Sequence, residues 1–206
     1  MNTTIESPDG LVRCRWSVAV PQFLAYHDSE WGFPVGDDRR LFEFMCLESF
    51  QSGLSWRTIL AKRENFRAAF RNFDFDQIAR YAPRDVERLL QNEGIVRHRG
   101  KIEAVINNAR RVRELIKHEG SFAAFVWRYA TDPKRRSARR TASAAAESVA
   151  LSQELRRLGW AFVGPTTVHA FRQATGLLND HVAGCAIRSR AERARKAFRP
   201  PAGATS

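Results

Sequence analysis

One carboxylate stands out in the segment CLESFQSGLSW, which spans residues 46–56. The chain just before it opens with two aspartates suited to a helix N-cap and continues with Leu41, Phe44 and Met45 at helical spacing. Glu48 occupies the next position of that apolar stripe. Because a lone carboxylate is costly to bury, Glu48 must be paired, protonated or used in binding or catalysis.

Four further residues have the chemistry of a metal site. Cys14 and His27 lie near the start of the chain, and His181 and Cys185 lie near its end at a spacing of four. Two thiolates and two imidazoles form an ordinary tetrahedral zinc site, and four protein ligands make such a zinc structural. Spacing alone favours the simpler interpretation, which is buried cysteines and a satisfied core histidine. A disulfide between Cys14 and Cys185 is disfavoured in a cytosolic protein.

The segment LRRLGWAFVGPTTVHAF predicts two helices joined by a turn at residues 159–164. If the second helix begins at Pro165, the amides of Gly164, Thr166 and Thr167 point outward at its positive end. A helix N-terminus of this kind binds phosphate, which is the chemistry of a helix-hairpin-helix motif. A hairpin that binds nothing remains the alternative.

The elements that position these groups are predicted to be helical, since no stretch shows sustained alternation with a period of two. The fold class is therefore all-α. Predicted helices begin near residue 38 and at Ser55, and others cover residues 83–94, 101–117, 122–129, 144–158 and 165–175. Residues 1–12 are predicted to be a flexible segment, residues 13–187 the folded domain, and residues 188–206 a disordered basic tail.

The formal net charge of +12 is concentrated in two places. Residues 134–140 and residues 188–199 each carry a net +5, so little excess charge remains elsewhere. Such basic segments suit a polyanionic partner, and we expect them to add salt-dependent affinity for DNA. The alternative is that both basic segments are simply solvated and bind no partner.

Features of a secreted or membrane protein are not found in the sequence. The N-terminus MNTTIESPDG is polar, and no apolar run approaches the ~18–20 residues that span a bilayer. Three cysteines do not make a disulfide framework. We expect a cytoplasmic protein without membrane contact.

Five pieces of the chain, taken in order, resemble the DNA-3-methyladenine glycosylase I family of bacterial repair enzymes. They are RCRW, AYHDSEWG, CLESFQSGLSW, GIVRHRGKIEAVINNAR and FVGPTTVHAFRQATGLLNDHVAGC. The resemblance implies a compact helix-hairpin-helix glycosylase fold, a monomer, and double-stranded DNA with alkylated bases as the partner. It also implies one structural Zn²⁺ per chain, held by Cys14, His27, His181 and Cys185.

The resemblance further implies a base pocket at named positions, which are Trp16, Phe23, Tyr26, Trp31, Glu48 and Trp56. Phe23 departs from the pattern, since the best-known members have tyrosine there, so a contact made by that hydroxyl is missing. Many helix-hairpin-helix glycosylases carry a catalytic aspartate after the hairpin, and this family resembles them without it. Asn179 occupies that region, and we assign no catalytic role to the neighbouring Asp180.

The chemistry of base removal fits these residue types. An enzyme that acts on a base flips it into a pocket with aromatic faces and a few polar groups. N3-alkylated adenine is cationic and a good leaving group, so a buried Glu48 carboxylate would recognise its edge through a charge-assisted hydrogen bond. Glu48 is thus the candidate catalytic residue, and it would read the base or also assist the attacking water. No lysine stands out as a nucleophile, so we expect hydrolysis without strand cleavage.

Three alternatives remain at this stage. Glu48 could form a structural ion pair, for example with Arg15 or Arg99. The protein could be a zinc-stabilised DNA-binding scaffold without catalysis. It could also be a glycosylase for a different damaged purine, with Phe23 as the position where the change of substrate would begin.

Overall fold

The structure is a computed structural model that describes residues 3–131 and 137–203, with the side chains of residues 137–143 left aside. Within that part of the chain it is mostly helical, which confirms the predicted helical class. The α-helices are α1 (Pro21–Ser29), α2 (Asp38–Gln51), α3 (Trp56–Ala61), α4 (Arg63–Ala69), α5 (Phe75–Ile78), α6 (Pro83–Leu90), α7 (Arg99–Glu119), α8 (Phe122–Trp127), α9 (Ser137–Arg157), α10 (Pro165–Ala174) and α11 (Arg188–Ala197). Short 3-10 turns cover Arg15–Val18 and Arg71–Phe73.

Helix α2 forms the centre of the core. Every residue from Leu41 to Phe50 is buried, and helices α3, α7, α8 and α10 pack around it. The helix begins as predicted, because the Asp37 carboxylate accepts a hydrogen bond from the Arg40 amide at 2.7 Å. Asp38 then accepts from the Ala123 amide at 2.7 Å, which ties the start of α2 to the start of α8. A helix enclosed on all sides leaves its polar residues no route to bulk water.

The helix predicted from Ser55 onward is two helices. Its cap is present, since the Ser55 hydroxyl accepts a hydrogen bond from the Thr58 amide at 3.3 Å. The chain leaves helical geometry at Lys62, with φ −99° and ψ 3°, and the Lys62 ammonium donates to the Glu93 carbonyl at 2.8 Å. This contact lies 31 residues away in sequence, so local periodicity does not reveal the break.

Helix α10 is joined to the segment that follows α1. The Gly32 amide donates to the Gln173 carbonyl at 3.0 Å, and the Val35 amide donates to the Thr175 carbonyl at 3.1 Å. Gly176 follows Thr175 and has φ +75°, and a Cβ there would stand 2.5 Å from the Phe33 carbonyl carbon and oxygen. This close approach fixes the N-terminal segment against the end of α10.

The two terminal segments differ from their predictions. The prediction of a flexible segment over residues 1–12 is wrong at Thr4–Glu6, which pairs antiparallel with Val12–Cys14. The prediction of a disordered tail is wrong for Arg188–Ala197, which forms α11. In both cases the stabilising partners are distant in sequence: the Ala186 amide donates to the Val12 carbonyl, and residues of α11 contact helix α8 and the end of α10.

Part of the first basic segment lies outside the described residues. Lys134, Arg135 and Arg136 lie outside the described residues, as do the side chains of Arg139 and Arg140. Among the residues that are described, no helix has both the length and the apolar character needed to cross a membrane.

Gly176→Ala is expected to lower the free energy of unfolding by about 3 kcal/mol or more. A positive φ costs an L-residue about 1–2 kcal/mol, and overlap with packed atoms costs about 1–3 kcal/mol. Urea denaturation would measure the loss. Gly10→Ala is the matched control, since Gly10 has φ +77° and no atom within 4 Å of an added Cβ. Equal losses in the two variants would show that the approach to Phe33 costs nothing.

Candidate functional site

A cavity of about 380 Å³ opens beside the end of α2. Five of the six predicted pocket residues line it: Trp16, Tyr26, Trp31, Glu48 and Trp56. The remaining lining residues are Gln51, Ala170, Gln173, Asp180 and Val182. Three separate parts of the chain therefore build the wall: the N-terminal segment, the α2–α3 region, and α10 with the loop after it.

The rings of the cavity hold one another in place. Trp16 meets Trp31 edge to face, with ring centroids 5.0 Å apart, and Tyr26 tilts against Trp56 at 5.3 Å. Tyr26 is on α1, and Trp56 is the first residue of α3, directly after the Ser55 cap. Edge-to-face and tilted aromatic pairs are favourable geometries, so these walls are rigid before any ligand arrives.

Glu48 is the buried carboxyl group of this cavity. It is 5% exposed, and its Oε2 atom has no hydrogen-bond partner among the described residues. Burial raises the pKa of Glu48 to about 8, and no neighbouring charge opposes this shift. The alternative of an ion pair with Arg99 is not supported, because Arg99 pairs with Glu87 at 2.7 Å. A buried carboxyl oxygen without a partner is a group that a ligand can satisfy.

Two other residues that line the cavity carry polar groups. The indole Nε1 of Trp56 is buried and has no hydrogen-bond acceptor among the described residues. Burial, and then the charge of Glu48, raise the pKa of Tyr26 well above its usual value, so its hydroxyl stays protonated. The cavity thus offers aromatic surface together with a few hydrogen-bonding groups, which suits a flat heterocyclic ligand.

Phe23 is placed differently from the other predicted pocket residues. It is not among the residues that line the cavity, and its ring packs edge-on against Trp16 with centroids 5.7 Å apart. In this structure Phe23 therefore supports Trp16 from outside the cavity.

The predicted metal ligands converge near the cavity. The ligand atoms of Cys14, His27 and Cys185 lie within 4.8 Å of one another, and all three residues are buried. The thiol of Cys185 is 3.6 Å from Nε2 of His27. His181 lies just outside that group, with its ring centroid 4.7 Å from that of His27. Both ends of the domain meet at this cluster, and it can hold a metal ion.

The two imidazoles are each held through Nδ1. Nδ1 of His27 is 2.7 Å from the Asp28 carboxylate, and Nδ1 of His181 is 3.0 Å from the Asn179 amide oxygen. Each ring therefore has Nε2 left for a ligand, and Nε2 of His181 has no partner among the described residues. Carboxylate and amide partners of this kind fix histidines that bind metals.

Burial also controls the charge of this cluster. It lowers the pKa of His181 to about 4 and that of His27 below its usual value, so both rings are neutral near pH 7. Burial raises the pKa of the Cys14 thiol to about 12. Neutral imidazole is the metal-binding form of histidine, whereas a thiol must lose its proton, which a bound cation promotes.

The turn between α9 and α10 is held by side chains from other helices. Asn108 on α7 both donates to the Ala161 carbonyl and accepts from the Ala161 amide, each at 2.9 Å. Ser49 on α2 donates to the Phe162 carbonyl at 3.0 Å, and Ser152 donates to the Val163 carbonyl at 2.7 Å. The start of α10 is therefore fixed relative to Glu48, which lies on the same helix as Ser49.

The predicted phosphate-binding residues lie beside the aromatic cavity. Gly164 is the N-cap of α10, and the first amides of a helix have no intrahelical partner. Thr166 and Thr167 line a second cavity of about 420 Å³. Glu48 and Ala170 line both cavities, so the helix start and the aromatic cavity adjoin.

Several lining residues were not identified from the sequence. Ala170 and Gln173 follow Thr167 at steps of three, so one outward face of α10 carries all of them. Extending the phosphate-binding face along the helix would have identified them.

Comparison with known proteins places the chain in a family. Residues 16–189 match the model of the methyladenine glycosylase family. The chain is 46% identical over 177 residues to DNA-3-methyladenine glycosylase 1 of Escherichia coli (strain K12), covering 84% of this chain and 95% of that protein. It is 39% identical over 180 residues to DNA-3-methyladenine glycosylase of Haemophilus influenzae, covering 84% and 96%.

Solved structures of related proteins support the same family. A crystal structure of 3-methyladenine DNA glycosylase I superposes with a TM-score of 0.74 at 46% identity, covering 84% of this chain and 98% of that one. A second structure, which addresses 3-methyladenine recognition by the Staphylococcus aureus enzyme, superposes with a TM-score of 0.75 at 32% identity, covering 85% and 96%. With sequence and fold in agreement over most of its length, the chain belongs to the methyladenine glycosylase family.

Proposed function

We propose that this protein is a DNA glycosylase that removes 3-methyladenine, and other purines alkylated at N3, from double-stranded DNA. The observation that carries the proposal is the buried Glu48 carboxyl group, which lines a cavity walled by aromatic rings and whose Oε2 has no hydrogen-bond partner among the described residues. The match covers nearly the whole length of two relatives that are named DNA-3-methyladenine glycosylases. This similarity supports the same activity for this protein.

The reaction follows from the chemistry of the damaged base. Methylation at N3 makes adenine cationic and weakens the bond between its N9 atom and C1′ of the sugar. After the nucleotide flips into the cavity, a water oxygen bonds to C1′ while the C1′–N9 bond breaks. The electron pair of that bond neutralises the base, and the proton lost by the water passes to solvent. The base needs no further proton to leave. No lysine is among the described lining residues, which supports hydrolysis without strand cleavage.

Glu48 provides the preference for a cationic base. The surrounding protein raises the pKa of its carboxyl group to about 8 by burial, so its charged form is disfavoured near neutral pH. A cationic base beside Oε2 restores the charged form and gains a charge-assisted hydrogen bond. Neutral adenine carries no charge to stabilise the carboxylate, so it would not form this charge-assisted hydrogen bond with Glu48.

The surroundings of the cavity suit a DNA backbone. The start of α10 presents the amides and hydroxyls of Thr166 and Thr167 for a phosphate, together with the N-cap Gly164. Leu54 projects nearby with 45% of its surface exposed, and it lines the same second cavity. An apolar side chain at this position would fill the gap in the base stack that a flipped nucleotide leaves.

A structural zinc ion at Cys14, His27, His181 and Cys185 completes the proposal. Two thiols and two oriented Nε2 atoms are a donor set typical of structural zinc. Bound there, the ion would join the segment that carries Trp16 to the loop that carries Asp180 and Val182, and so stabilise two walls of the cavity.

Glu48→Gln is expected to reduce kcat/KM for release of 3-methyladenine from alkylated DNA by about 10- to 100-fold, because a hydrogen bond to a charged group contributes about 1.5–3 kcal/mol. Chromatography of the released base would measure it. Glu93→Gln is the control, since Glu93 is 84% exposed and outside the cavity. A wild-type protein that binds DNA but releases no base would overturn the catalytic assignment in favour of a DNA-binding scaffold.

The stability of the wild-type protein is expected to fall relative to Glu48→Gln as pH rises. The unfolded carboxyl group loses its proton near pH 4.5 and the folded one near pH 8, so the folded state binds more protons between these values. The relative stability of the variant should therefore grow by on the order of 1.4 kcal/mol per pH unit across this interval. Urea unfolding at about pH 5 and about pH 8 would measure the change. A difference that is the same at both pH values would contradict a buried, proton-binding Glu48.

Metal analysis of the purified protein is expected to find about one zinc per chain, and chelation should lower its unfolding temperature. Cys185→Ser should lose both the zinc and the effect of the chelator. Cys46→Ala is the matched control: Cys46 is also buried and free, but it lies on α2 outside the cluster and should leave the zinc content unchanged. Wild-type protein without zinc would refute the structural metal.

A further inference from the structure

Helix α11 presents a row of cations to solvent. Arg190, Arg193 and Lys196 follow one another at steps of three and are all exposed, and Arg199 comes one step later. None of them forms an ion pair with an acid in the part of the chain that the structure describes. The only acid of the helix, Glu192, contacts Asn179 and Arg195 instead. The outer face of α11 therefore carries positive charge that forms no ion pair with any described acid.

This helix is fixed to the protein by its inner face. Arg195 donates to the carbonyls of Gly176, Leu177 and Thr131, at 2.6, 3.0 and 2.9 Å. The ring of Phe198 packs on Trp127 with centroids 4.5 Å apart. Because the inner face is anchored at several points, the direction of the outer cations is set by the fold.

The first turn of α11 lies next to the wall of the aromatic cavity. The Asn179 amide donates to the Arg188 carbonyl at 3.1 Å, and the Arg188 guanidinium donates to the His181 carbonyl. Asp180 lies between Asn179 and His181 in the sequence, and it lines the cavity. On the other side, the Arg190 guanidinium stands 5.5 Å from the ring centre of Phe33, two residues after Trp31.

The start of α10 lies at the other end of a run of residues that line this cavity and the second one. Thr167 lines the second cavity, Ala170 lines both, and Gln173 lines the aromatic one and donates to Asp180 at 2.7 Å. The outward face of α10 thus runs from the predicted phosphate site, past the cavity, to the loop that anchors α11. Two positive features, the start of α10 and the outer face of α11, bracket the cavity.

We propose that α11 is a second backbone-binding element, whose cations contact phosphates on the far side of the flipped nucleotide from the start of α10. The inference rests on the proposed function, and it adds a surface that the family match, which ends at residue 189, does not contain. Its partner is duplex DNA, because evenly spaced cations without acids complement a phosphate backbone and carry no base recognition.

A triple variant, in which Arg190, Arg193 and Lys196 are each changed to Gln, is expected to bind a DNA duplex more weakly. Its affinity for the duplex should also depend less on the salt concentration. The slope of log Kobs against log salt concentration should become less steep by about 2 to 3, since each lost phosphate contact removes about 0.9. Raising the salt concentration fourfold would then cost the wild-type protein about 40-fold more affinity than the variant. Fluorescence anisotropy with an undamaged duplex would measure both slopes.

The control removes three charges elsewhere. Arg80, Arg84 and Lys117 are exposed, lie in the α5–α7 region, and line neither cavity of the site. If changing these three to Gln alters the slope as much as the α11 variant does, net charge alone is responsible and the inference fails. Point changes are preferable to deleting the tail, because deletion would also remove the Arg195 and Phe198 anchors.

Failure of the inference differs from failure of the proposed function. Equal slopes for the wild-type protein and the α11 variant, with the wild type releasing 3-methyladenine, would overturn the role of α11 alone. A reduced slope for the variant, with no base released by the wild type, would support α11 as a DNA contact and overturn the glycosylase assignment. Thermal melting would verify that both triple variants fold.

Discussion

The site depends on the complete enclosure of helix α2. Ten consecutive residues of this helix are buried, so a carboxyl group on it cannot reach bulk water by turning its side chain. Glu48 instead lines the cavities beside the end of α2, and the cost of burying its charge appears as a raised pKa. The same enclosure makes the floor of the cavity rigid, since other helices pack around α2. Packing therefore creates both the unsatisfied group and the precision with which it is held.

A second constraint comes from the way the chain ends enclose the site. Trp16, Tyr26 and Trp31 belong to the N-terminal segment, which has little regular structure of its own beyond α1 and a two-stranded pair. This segment is positioned by the end of α10, where Gly176 permits backbone contact with Phe33, and by the cysteine and histidine cluster. The aromatic wall is thus supported from outside the cavity.

Local patterns were enough to predict α2, its Asp37 cap and the turn before α10, because caps, glycines and apolar spacing act within a few residues. They also brought Glu48 to notice, whereas the aromatic residues of the cavity were named through the family resemblance. The break at Lys62 and the order of α11 depend on contacts with Glu93, Gly176 and Leu177, which no window of sequence contains. The location of Phe23 behind Trp16 likewise follows from tertiary packing.

The meeting of Cys14 and Cys185 has a consequence for protein synthesis. A chain leaves the ribosome with its N-terminus first, so Cys14 and the tryptophan two residues after it emerge long before their C-terminal partners. The anchors for the aromatic wall, which are His181, Cys185 and the end of α10, are made after Glu48 and after the aromatic residues that they support. A nascent chain therefore carries Glu48 and its aromatic neighbours before the parts that complete the cavity.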